Sequence, residues 1–205
     1  MSVGNVRSRR LLLKKREPVQ LVARFAEVAG WEYVGALDRD PDQLINHEMK
    51  WQVDASTSVH FIVDDTGVDQ SGELRYLVVL GADREQVEQV RKSVEDARID
   101  VWKPAELNRI ADLSFGSGLP DEQVRAMLRL GLGAPLTATP KVEALFERGT
   151  RDPEPIVRFA TLHAIAQAEW PGCLDLVRGL ADDEHPDVAE LAEMVVQAFA
   201  DEGLA

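Results

Sequence analysis

From Pro120 onward the chain aligns with itself. The segments EQVRAML, PIVRFAT and PDVAELA superpose on Val124, Val157 and Val188, which stand 33 and 31 residues apart. Each copy follows a run of Pro, Asp and Glu, and each sets a Val and then small or apolar residues on one helical face, as in Val157, Ala160, Ala164 and Ala168. Small side chains at that spacing let neighbouring helices approach closely. The intervening segments carry apolar stripes of their own, Val142, Leu145 and Phe146 in one and Leu174, Val177 and Leu180 in the other. Two-helix units that recur every 20–50 residues or so form stacked helical arrays, because one unit cannot bury its apolar face alone.

Residues 116–205 therefore read as about two and a half helical repeats, beginning at the break SFGSGLP. The run Asp152-Pro153-x-Pro155-x-Val157-Arg158, followed by Ala164, and its fainter copy at Val124-Arg125 resemble HEAT-like repeats of the short bacterial form. The resemblance implies an all-α solenoid. In it Val124, Val157 and Val188 pack inward, while Arg125 and Arg158 hydrogen-bond along the stack toward acidic residues of adjacent repeats. Asp152 belongs to the same motif. The third copy departs from the pattern, with Ala189 where the arginine would be.

Residues 18–115 have a different texture and read as a small α+β domain, an antiparallel meander with packed helices. Leu21, Val22, Phe25, Ala26 and Ala29 recur at helical spacing between Pro18 and Gly30. Asp40, Pro41 and Gln43 predict a short helix over residues 41–47, by N-cap, first-turn proline and capping box. Val59, Phe61 and Val63 alternate with Ser58, His60 and Ile62, and Leu74, Tyr76, Val78 and Leu80 repeat that two-residue period, so two strands form a hairpin around DDTGVDQSGE. Residues 50–53 pair on the other side. Asp83 caps a helix whose Val87, Val90 and Val94 share a face, with Gln86 completing the box; residues 99–102 return as a further strand, and Pro104 opens another helix carrying Leu107 and Ile110.

The net charge of −13 is unevenly spread. Residues 1–16 carry Arg7, Arg9, Arg10, Lys14, Lys15 and Arg16 and no acid, which is +6 and leaves −19 on the rest. A basic block beside an acidic body predicts a flexible tail over residues 1–17 that meets phosphates, an anionic membrane, an acidic protein partner or the body itself. The acidic body favours a basic protein surface and repels nucleic acid. No run reaches the roughly 18 apolar residues of a membrane span, and Leu11–Leu13 is too short for a signal-peptide core of about 7, so the expectation is a cytoplasmic protein. Cys173 is the single cysteine and reads as a buried thiol.

Chemistry-bearing patterns are sparse. His47, His60, His163 and His185 show no metal-ligand spacing. No phosphate-cradling glycine loop and no nucleophile elbow occurs. The carboxylates Asp64, Asp65, Asp69 and Glu73 crowd one hairpin loop, but their spacing fits no EF-hand and suits turn chemistry. Asp182, Asp183 and Glu184 read as a repeat turn. Trp31, Trp51, Trp102 and Trp170 stand at element edges, where large aromatics close small cores. The expectation is a non-enzymatic interaction protein of adaptor, regulatory or immunity type, with no catalytic, cofactor or metal residues, that binds a protein partner through its helical surface. The alternative is recruitment to nucleic acid or anionic membrane through residues 1–16.

Overall fold

In a computed structural model, which describes residues 6–14, 19–38, 47–64, 74–97 and 99–204, the chain forms two compact units. One runs to Trp102 and the other begins at Lys103. Pro18, Asp40, Pro41, Gln43, Asp65, Asp69, Glu73, Lys15 and Arg16 lie outside the described residues.

The first unit holds six strands, β1 (Val6–Arg7), β2 (Leu11–Leu12), β3 (Glu32–Leu37), β4 (His47–Gln52), β5 (Thr57–Asp64) and β6 (Leu74–Gly81). Their order is β1-β6-β5-β4-β3, β2 also pairs with β6, and every pairing is antiparallel. From β3 to β6 the sheet is a meander. His47 opens β4 and pairs with Val63, so it is not the end of a helix.

The expectation of a flexible tail does not hold for residues 6–14. Strands β1 and β2 close the outer side of β6, where Ser8 N–H donates to Val79 O at 2.8 Å and Val79 N–H donates to Ser8 Oγ at 3.0 Å. Leu11, Leu12 and Leu13 are buried, and Leu13 bridges Val101, the part of residues 99–102 that returns to the sheet. Three consecutive leucines are costly to leave in water, at roughly 1.5–3 kcal/mol for each side chain kept exposed. That apolar triplet, with an open ladder beside it, decides the segment's fate over its charge.

Helices α1 (Val19–Val28) and α2 (Arg84–Asp96) supply the other half of the core. Val22 and Ala26 of α1 and Val87, Val90 and Val94 of α2 meet Leu11, Trp51, Val59, Phe61, Leu77 and Val79. In β6 it is thus Leu77 and Val79 that join this core. The stripe Leu74, Tyr76, Val78 read from the sequence is buried on the opposite face of the sheet.

The second unit is helical among the described residues: α3 (Pro104–Ser117), α4 (Pro120–Leu132), α5 (Pro140–Thr150), α6 (Pro155–Ala168), α7 (Leu174–Arg178) and α8 (Pro186–Asp201). Five begin on proline, and α7 follows a 3-10 turn that does the same at Pro171. Proline lacks the N–H that a helix start leaves unpaired anyway, and it drives the preceding residue into extended backbone. Lys103, Leu119, Thr139, Glu154, Trp170 and His185 are all extended, so each helix start is fixed locally.

Helix α3 belongs to this second unit and not to the first, where the SFGSGLP break would leave it. Its Leu107, Ala111, Ser114 and Phe115 are buried, and Leu107 closes on Gly133. Helices α3 and α4, α5 and α6, and α7 and α8 pack as consecutive pairs; α4 also lies beside α6, α6 beside α8, and α5 touches both α3 and α7. The α4–α6 contact is very close, since a Cβ on Gly131 would stand 2.3 Å from Ala164 Cα.

Candidate functional site

Helix α6 is central to the second unit, and its polar and apolar faces do different jobs. Val157 points inward and is fully buried, as are Val124 of α4 and Val188 of α8. Arg158, one residue on, is buried too. Its Nε donates to Asp183 Oδ2 and its Nη2 to Asp183 Oδ1, both at 2.7 Å, while Nη1 reaches Asp152 O at 2.9 Å and Pro153 O at 3.1 Å. The side chains of the pair are only 8% and 6% exposed. Asp183 sits in the turn before α8 and also accepts from His185 N–H at 2.9 Å. Arg158's hydrogen bonds, and then that of His185, hold the Asp183 carboxyl below its usual range. A planar fork on a carboxylate fixes direction as well as distance, so it locks the turn between α7 and α8 onto α6.

The preceding turn repeats this device with a neutral side chain. Gln123 Nε2 donates to Asp152 Oδ2 at 3.3 Å, and Asp152 Oδ1 accepts from Glu154 N–H at 3.0 Å. The sequence alignment on valines gave this role to Arg125, which is a correction. Arg125 is half-buried and lines a groove with Ile110, Leu113 and Arg129. The missed signal is the offset from proline. Gln123 and Arg158 are each the third residue after the proline that opens their helix.

The solvent side of α6 is apolar. Ile156, 44% exposed, and Phe159 line a groove of about 290 Å³ against His185, Asp187 and Val188 of the turn and α8. His163 stacks edge-on against Phe159, with centroids 5.0 Å apart, and burial pushes its pKa below the ordinary histidine value. Met194, two turns beyond Asp187 on the same face of α8, is 61% exposed. Acids rim this groove. Asp187 and Glu184 have side chains 75% and 86% exposed.

The described basic residues of the segment 6–14 are drawn into the fold of the first unit. Arg9 pairs with Glu95, which also holds Arg91, and burial pushes the Arg9 guanidinium below its ordinary value against Glu95's pull. Arg10 lies over the Tyr76 ring at 6.0 Å, Lys14 lies 5.2 Å from the Trp102 centroid and 3.5 Å from Asp100, and Arg7 donates to Ser8 O at 3.4 Å.

One hydrogen-bond chain has the residue order of a hydrolase triad. His60 Nδ1 pairs with Glu48, and its Nε2 lies 2.8 Å from Ser58 Oγ. Ser58 and His60 are buried, and β5 is paired along its length to β4 and β6. Its backbone N–H groups are therefore engaged in the ladders and form no oxyanion hole. What the chain does is brace β4 against β5.

Among the described residues no group of three or more His, Cys, Asp or Glu is placed to hold a metal, and no helix is long and apolar enough to cross a membrane. Cys173 is buried, its thiol pushed up to about 11 by burial and by Glu143. Trp170 is buried against Phe146 and donates to Pro135 O at 3.0 Å, Trp51 is in the core, and Trp31 meets Phe25 edge-on at 5.1 Å. Comparison with family models, curated proteins and solved structures finds no match to this chain.

Proposed function

We propose that the protein is a non-enzymatic protein-interaction module. In this reading the helical unit is a short HEAT-like solenoid of three helix pairs, and the row α4, α6, α8 carries the docking surface. The observation behind the reading is the neighbour pattern: α4 stands beside α6 and α6 beside α8, with α5 touching α3 and α7 in a second row. Further support comes from Arg158, which crosses from α6 to Asp183 in the turn that joins the two helices of the next pair, in line with what the resemblance implies. The phase differs from the valine alignment. The motif-bearing helices are the second of each pair, with α3 completing the first. Exposed Ile156 and half-buried Phe159 give the row an apolar surface on which a partner can bury area. Nothing in the described basic segment favours the nucleic-acid or membrane alternative, because Arg9, Arg10 and Lys14 are engaged within the first unit.

Site-specific photo-crosslinking in the source cell tests the proposal, with a benzophenone side chain placed in turn at Phe159, Met194 and Tyr33. Discrete protein adducts at Phe159 and Met194 but not at Tyr33 are expected. Adducts at Tyr33 alone, or adducts that nuclease removes, overturn it.

A further inference from the structure

We infer that the groove between α6 and α8 takes a short basic peptide segment of a partner, anchored by one large apolar side chain. This rests on the proposal that the α4–α6–α8 row is a docking surface, and it specifies the chemistry of what docks.

Ile156, Phe159 and Val188 form an apolar floor, and at about 290 Å³ the space lies at the small end of ligand pockets, which run from roughly 300 to 1,000 Å³. It admits a side chain or two, not an enclosed small molecule. An apolar anchor from a peptide fits this form, as helix-in-groove recognition does elsewhere.

The charge decides which peptide. From Asp152 to the last residue the sequence holds twelve carboxylates against only Arg158 and Arg178, so these 54 residues carry −10 of the chain's −13. Arg158 is forked on Asp183 beneath the surface and reaches Glu184 at 3.8 Å, and Arg178 pairs with Asp175 at 3.1 Å, so these two positive charges stand against twelve carboxylates. Helix α8 contains Asp187, Glu190, Glu193 and Asp201 and no Lys or Arg. His163 adds no positive charge near pH 7, because burial favours its neutral ring. His185 contributes a buried Nδ1 with no hydrogen-bond partner, 4.0 Å from Asp187, as a polar contact in the groove wall. An acidic peptide, a nucleic acid and a second copy of this −13 chain are all repelled by such a rim. Lysine or arginine beside the anchor is attracted, and its long stem covers further apolar surface.

The test pans the immobilised full-length chain against phage-displayed random 12-residue peptides and measures the affinity of the most enriched sequence as a synthetic peptide. Three proteins are compared: the native chain, Ile156→Glu, and the double variant Glu184→Lys/Asp187→Lys. All changes fall on exposed side chains, and thermal melts verify that the variants fold. The expected result is enrichment of peptides with Lys or Arg next to Leu, Ile, Phe or Trp. Their affinity should fall about tenfold or more in Ile156→Glu and roughly three- to tenfold in the charge-reversed protein. Neutral or acidic peptides that lose binding in Ile156→Glu but ignore the charge reversal overturn the basic-partner inference and leave the docking row standing. Failure to enrich, or binding indifferent to both variants, overturns the groove itself, and the crosslinks at Phe159 and Met194 then judge the row independently.

Discussion

Arg158 connects three segments of the helical unit, α6, the turn at Asp152–Pro153 and the turn at Asp183. Replacing it with Met leaves Asp183 as a largely buried carboxylate with only the His185 N–H, so Arg158→Met should lower stability by about 2–4 kcal/mol in urea unfolding. The sign with pH follows from Asp183. Its folded-state pKa lies below the unfolded value of about 3.9, so its stabilisation is fully present above that value and is lost as pH falls through the lower, folded one. The gap between native protein and Arg158→Met should hold at neutral pH and narrow below about pH 4. Cys173 offers a second residue-scale check. With its thiol pushed up to about 11 and its side chain buried, labelling by a disulfide reagent at pH 8 should track global unfolding; rapid labelling of the native protein would contradict the burial. At this scale the sequence was legible where a residue acts on its immediate neighbours. Asp83 does cap α2, accepting from Gln86 N–H at 2.8 Å. Partners distant in sequence were not. The Gln86 side chain turns instead to Asp54, and the α4 residue that reaches Asp152 is Gln123, which a search for arginine passes over.

Among the elements, the α4–α6 contact depends on the missing side chain of Gly131. A methyl there meets backbone atoms of Ala164 at 2.3 and 2.4 Å, which cannot yield as a flexible side chain can. Gly131→Ala should therefore cost about 2 kcal/mol or more, whereas Gly116→Ala, on the exposed side of α3 with nothing within 4 Å, should gain about 0.5–1 kcal/mol from helix propensity. Paired thermal melts with opposite shifts check both. Removal of residues 1–14 tests β1 and β2: loss of buried Leu11, Leu12 and Leu13 should abolish the cooperative melt of the sheet unit and raise dye binding to exposed apolar surface. A free tail would leave the melt unchanged. The element types were legible wherever period and punctuation agreed, as in β5, β6, α2 and the proline-led helices. They were obscured where local composition opposed tertiary need. RLLLKK reads as solvated charge, yet the apolar triplet completes the edge of β6. Strand β3 carried no alternation to notice, because nearly all of its residues are exposed. The place of α3 in the second unit was hidden because it lacks the Val-Arg signature and joins that unit through packing.

For the whole molecule, two compact units with a boundary at Trp102–Lys103 imply separable folding. Residues 103–205 expressed alone should give a helical circular dichroism spectrum and a cooperative melt; a broad, non-cooperative transition would show that the helical unit depends on the rest of the chain. Charge divides along the same line. Arg9 and Lys14 of the first unit pair with Glu95 and Asp100 there, while carboxylates outnumber cations twelve to two from Asp152 onward in the second. One feature of the sheet also bears on how the chain behaves in a crowded solution. Among the described residues nothing pairs with the outer side of β3, where Tyr33, Val34 and Leu37 are more than half exposed and neither lysine nor proline stands guard. The register with β4 shifts between Tyr33 and Gly35, so Val34 has no opposite number and the strand bends at the one place where a straight template would invite stacking. Deleting Val34 should straighten that border, and light scattering would then read more self-association than in the native chain.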